Sequence, residues 1–162
     1  MNVRTLVLAL LIATPAAAAP AQLTELQVRA FVARQGQAWN AGDLTAYFAT
    51  FTPAARFTDQ ALGNDNKIVP YGVSTVAQAR AQARKTLAKV KVRETSSVGA
   101  VSVAADGRSA RVTASTFSEI SAAGAVRRVC ALRVVTVALT AAGLRATGQT
   151  DTIVRCRAGA VR

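Results

Sequence analysis

The stretch Trp39-Asn40-Ala41-Gly42-Asp43 constrains this chain most, because it closes one amphipathic helix and opens another. Upstream, Thr24 stands three residues before Gln27, the spacing at which two side chains satisfy each other's free backbone N–H groups at a helix start. Val28, Phe31, Val32, Gln35, Ala38 and Trp39 then recur at helical spacing and share one face, with Gln35 as its polar exception. Gly42 tolerates positive φ and ends that helix. Asp43 is placed to cap a short second helix carrying Leu44, Tyr47 and Phe48.

Beyond Thr52-Pro53 the pattern shortens to a strand over 55–60, and Gly63-Asn64-Asp65-Asn66 reads as a loop. Pro70-Tyr71-Gly72 leads into a second start signal, Thr75 with Gln78. In the third helix Val76, Ala79, Ala83, Leu87 and Val90 form the expected buried stripe, and Arg80, Arg84, Lys85 and Lys89 form a basic back. From Lys91 the helical period is lost. Four β-rich runs follow, at 91–103, 109–121, 126–140 and 144–157, joined by short turns at Asp106-Gly107, Ala122-Ala123-Gly124 and Ala141-Ala142-Gly143. An up-and-down antiparallel sheet is predicted, with Gly99 marking a bulge that curves it. The third run is apolar on both sides: Cys130, Leu132, Val134 and Ala138 on one, Val129, Ala131, Val135, Val137 and Leu139 on the other. One helix layer covers one of these faces, so the other calls for a partner, most simply a second copy.

The ends and the composition bear on compartment and partners. Residues 1–18 read as a signal peptide: Arg4, the apolar run from Leu6 to Ile12, and the small residues around Pro15 to Ala18. The apolar run is too short to span a bilayer, and the mature chain offers no transmembrane segment, so a periplasmic or secreted protein is expected. The chain has 162 residues, enough for one domain, and a net charge of +12 that favours anionic partners. Nucleic acid is not expected among them, because the Arg residues are scattered singly and few aromatic residues are available for stacking. In a hairpin turning near Gly143, Cys130 and Cys156 come almost opposite each other, and an oxidising compartment favours a disulfide. Two cysteines, both committed in this way, and no histidine leave no metal site to predict, and no cofactor is indicated.

The order helix, short helix, strand, loop, helix and four long strands, together with Trp39-Asn40-Ala41-Gly42-Asp43 and Phe57-Thr58-Asp59, resembles the nuclear transport factor two-like superfamily, which includes ketosteroid isomerase, scytalone dehydratase, limonene epoxide hydrolase and the SnoaL-like polyketide cyclases. The resemblance covers residues 23–157, leaving 158–162 as a frayed tail. It implies an α+β cone, a curved antiparallel sheet covered by three N-terminal helices, pairing as a homodimer through the outer sheet face. It further implies a small, largely apolar ligand inside the cone, lined by Trp39, Tyr47, Phe51, Phe57, Tyr71 and Phe117.

Isomerase-like chemistry on this scaffold assigns Asp59 as base and Tyr47 or Tyr71 as hydrogen-bond donor, without an identifiable second acid. The missing histidine excludes chemistry of the scytalone dehydratase type and Ser-His or Cys-His nucleophiles. For the Asp-Arg-Asp arrangement of limonene epoxide hydrolase, Asp151, Arg133 and Arg155 lie on the last two runs, and the sequence does not show that they converge. The expectation is therefore an exported small-ligand-binding domain. Its alternatives are a lyase, isomerase or hydrolase using Asp59, and an envelope protein-interaction module using the basic surface.

Overall fold

The computed structural model describes residues 22–156; the signal segment and the tail lie outside them. The chain runs α1 (Glu25–Asn40), α2 (Leu44–Ala49), β1 (Phe51–Leu62), β2 (Ile68–Thr75), α3 (Val76–Leu87), β3 (Lys91–Val103), β4 (Ser109–Ala122), β5 (Ala125–Thr140) and β6 (Gly143–Val154).

Local chemistry explains the helix ends. Thr24 and Gln27 form the reciprocal cap of α1, Thr75 and Gln78 that of α3, and the Asp43 carboxylate accepts from the Ala46 N–H at the start of α2. Gly42 sits at φ +70°, the conformation that lets the chain turn between α1 and α2. The α1 stripe is buried as far as Gln35, whose amide donates to Thr50 Oγ1 at 2.7 Å. α3 departs from expectation: none of its residues is fully buried, and Val76, Ala79 and Ala83 only lean on the core. The alanine stripe has little area to bury, so this helix covers the sheet lightly.

The six strands are ordered β2-β1-β6-β5-β4-β3, and every neighbouring pair is antiparallel except β1 with β6, which is parallel. The expected wholly antiparallel sheet is thus a mixed one, because β6 returns alongside β1 in the same direction. The segment around Pro70-Tyr71-Gly72, read from sequence as a lead-in to α3, is the edge strand β2. Proline is tolerated there because an edge strand has one side free of ladder bonds, and a bulge leaves Tyr71 unpaired between Gly72 opposite Asp59 and Pro70 opposite Gln60.

Two further irregularities bend the sheet. Gly99 and Ala100 stand against Thr113 alone, as expected of a bulge at Gly99, and Thr147 is the extra residue opposite Thr136 and Val137. Arg29 of α1 donates to the Val98 and Gly99 carbonyls at 3.3 and 2.9 Å and ties the helix to the first of these bends.

Strand alternation then sorts the side chains. The helix-covered face carries Ala110, Val112, Val135, Val137 and Ala146, which are buried against Val28, Phe31, Phe48 and Phe57. The outer face carries Phe117, Cys130, Leu132, Val134 and Val154. Cys130 and Cys156 are disulfide-bonded, with Cα atoms 5.2 Å apart; Cys130 stands opposite Val154, so the bond fastens the chain just beyond the end of β6. Closing this loop stabilises the fold by roughly 3 kcal/mol. Among the described residues no helix is long and apolar enough to cross a membrane.

Candidate functional site

Four of the six expected lining residues gather on the concave face. Trp39, Tyr47, Phe51 and Phe57, joined by Phe48, form a continuous aromatic cluster with ring centroids 4.6–6.3 Å apart. They fill the space between helices and sheet by packing on one another. The other two stand elsewhere. Tyr71 is exposed on the edge strand, and Phe117 lies on the opposite face of the sheet beside Cys130.

Beyond the aromatic cluster the concave face becomes ionic. Arg133 on β5 binds two carboxylates at once, Glu94 on β3 at 2.6 and 3.1 Å and Asp151 on β6 at 2.7 and 3.2 Å. The Tyr47 hydroxyl donates to Gln149 Oε1 at 3.1 Å, and the Gln149 amide donates to Asp151 at 2.8 Å, so α2 joins the same network. Ser96 and Ser118 donate to Glu94, and Asn40, at the end of α1, bonds the Glu94 backbone in both directions at 2.7 and 2.8 Å. The Trp39-Asn40 corner thus fixes the position of an internal carboxylate.

Burial works against the charge of Arg133, yet the facing Asp151 and Glu94 more than offset it and hold the guanidinium protonated. Burial pushes the Tyr47 hydroxyl up to about 12, which keeps it a neutral donor. Asp59 stands beside the network without a hydrogen bond to it. It is half-buried on β1 beside Asp151, and burial first, then that neighbouring carboxylate, raises its pKa, with Arg133 acting the other way. Tyr71 is raised by partial burial and by Asp59 and Asp151.

Arg133 and Asp151, whose convergence the sequence left open, therefore meet, and the third member is Glu94 rather than a second aspartate. Arg155 does not join them; it reaches Asn64 in the β1–β2 loop. Glu94 and Gln149 were missed. The signal for Glu94 was present, since it is the sole acidic residue of the Lys91–Val103 run. Four of the five N–H groups of Arg133 are spent on carboxylates, which leaves little of the guanidinium to address a substrate. Beside the network, among Val32, Trp39, Tyr47, Ser96 and Gln149, the void measures about 20 Å³, room for one water.

A much larger hollow opens on the outer face, about 660 Å³. Phe117, Leu132, Val154 and Cys130 supply an apolar floor, and Thr95, Ser97, Ser115, Asn64, Asn66 and Arg155 a polar rim. Its size is that of an ordinary small-molecule site.

No protein-family profile matches the sequence, and no curated protein matches it. Solved structures do. A ketosteroid isomerase-like protein from Erwinia carotovora atroseptica is similar over 80% of this chain and 95% of its own, with a TM-score of 0.64 at 14% identity. ActVI-ORFA from Streptomyces coelicolor is similar over 79% and 95%, with a TM-score of 0.58 at 22% identity. A nuclear transport factor two-like protein with a cystatin-like fold from Novosphingobium aromaticivorans is similar over 83% and 84%, with a TM-score of 0.57 at 17% identity. The chain therefore has the nuclear transport factor two-like fold, the cone-type α+β architecture inferred from its sequence.

Proposed function

We propose that the protein is an exported small-ligand-binding domain whose ligand occupies the outer-face hollow rather than the interior of the cone. The supporting observation is the contrast in free space: about 20 Å³ beside the Arg133 network against about 660 Å³ over Phe117, Leu132 and the disulfide. The apolar floor selects a largely apolar molecule. A disulfide accords with an oxidising compartment. The second copy inferred for the outer face would roof the hollow and exclude water from the ligand. Catalysis at Asp59 is the weaker reading, because Asp59 lines neither the small void beside Arg133 nor the outer-face hollow.

Native mass spectrometry of the protein purified from its own cell envelope tests the proposal. A reproducible mass excess that denaturation releases, and that Phe117→Asp abolishes while circular dichroism remains native, is the expected result. An excess that survives Phe117→Asp, or no excess, would refute the outer-face site.

A further inference from the structure

The β1–β2 hairpin presents an apolar edge that the rest of the fold leaves uncovered. Ile68, Val69, Tyr71 and Val73 are 54%, 53%, 62% and 67% exposed. Natural proteins ordinarily guard such an edge with lysine or other charges, and Ile68–Thr75 contains none. Addition of another strand is disfavoured as well, because Pro70 has no N–H to offer and the bulge at Tyr71 breaks the regular ladder. The edge therefore offers side chains rather than backbone.

Four basic residues flank it, and the nearest acid is the half-buried Asp59, opposite Gly72 on β1. Arg84 and Lys85 lie on α3, which rests on β1 and β2; Arg56 stands opposite Thr75; and Arg155 bonds the hairpin loop through Asn64. Among the described residues none of these four has a carboxylate partner. The acid of the loop, Asp65, is paired with Lys67 at 3.2 Å. Across the whole chain 20 basic residues stand against 8 acidic ones, and two of the acids, Glu94 and Asp151, are paired with Arg133 on the helix-covered face.

We propose that this edge docks the protein on an anionic phospholipid surface. The aliphatic side chains enter the headgroup boundary, the Tyr71 ring sits at headgroup level, and the four cations meet lipid phosphates. A second copy of the chain is the poorer occupant of this edge, since it would bring Arg56, Arg84 and Lys85 against themselves. A neutral apolar partner would leave them unanswered.

Flotation with vesicles tests this, wild type and variants alike being purified as the exported chain, without the expected signal peptide 1–18. Equimolar phosphatidylcholine and phosphatidylglycerol should bind the wild type, and pure phosphatidylcholine should not. Arg84→Glu with Lys85→Glu should weaken binding about tenfold or more at low salt, since two cations attracted to an anionic surface become anions repelled by it. Val69→Ser with Val73→Ser should weaken it at every salt concentration. Should either double variant misfold, hydrogen exchange of the wild type on the mixed vesicles supplies the same test, with new protection expected over 68–73. Equal binding to both vesicle types, unchanged binding of folded variants, protection elsewhere, or capture of an acidic protein without vesicle binding would each overturn the proposal.

Discussion

Asp59 and Asp151 occupy paired positions on the parallel strands β1 and β6, and only one of them receives Arg133. Asp151 takes the ion pair, and Asp59 is left with burial and repulsion.

A pH-dependent stability follows. The folded-state pKa of Asp59 lies above its ordinary value of 3.8, so the stability linked to this group is fully present below that value and lost as pH rises through the folded one. Asp59→Asn removes the titration. At neutral pH the variant should unfold at a higher denaturant concentration than the wild type, and its advantage should vanish in acid. An advantage that is constant with pH would mean that Asp59 titrates normally.

Arg133 is the balancing charge of the concave face. Arg133→Met leaves Glu94 and Asp151 without their cation in a largely buried setting and should cost about 3–5 kcal/mol. Combining it with Glu94→Gln and Asp151→Asn should recover most of that loss, because the buried charges then disappear together. Denaturant unfolding of the single and triple variants measures both. A triple variant as unstable as the single one would show that specific hydrogen bonds, not uncompensated charge, set the cost.

Trp39 separates packing from hydrogen bonding. Its ring lies 5.1 Å from that of Tyr47, and its indole N–H is buried without a protein partner. Trp39→Ala should cost about 3 kcal/mol or more, as expected for a large aromatic in a packed cluster. Trp39→Phe should cost less than about 1 kcal/mol, because no protein hydrogen bond is broken. Equal losses in the two variants would point to a water in the small void that the indole holds.

The helices and the four C-terminal strands were legible because their signals are local. Thr24 with Gln27, Gly42 with Asp43, and alternation past Lys91 each act within a few residues. β2 was illegible for the opposite reason: Pro70 and Gly72 are poor strand residues, and their pairing with β1 is decided by an edge position that no local pattern records. The parallel β1–β6 contact is likewise long-range, and it brings Asp59 to Asp151. Phe117 was misplaced for want of a phase. Alternation says that Phe117 and Thr116 face opposite ways, and only the pairing of Thr116 with Ala131 and of Phe117 with Cys130 says which way is inward.

The same alternation decides how the two sides of β5 behave when charged. Val135 and Val137 are almost fully buried on the helix side, whereas Leu132 is half exposed on the outer side. Lysine at Val135 would place an ammonium in the core next to Arg133 and should prevent stable folding. Lysine at Leu132 should cost the monomer no more than about 0.5 kcal/mol, since the site already faces water. If a second copy covers the outer face, as proposed, wild-type protein should sediment as a dimer at micromolar concentration, and Leu132→Lys should sediment as a folded monomer. A monomeric wild type, or a Leu132→Lys variant that stays dimeric, would remove the outer face as the pairing surface and leave the hollow open to solvent.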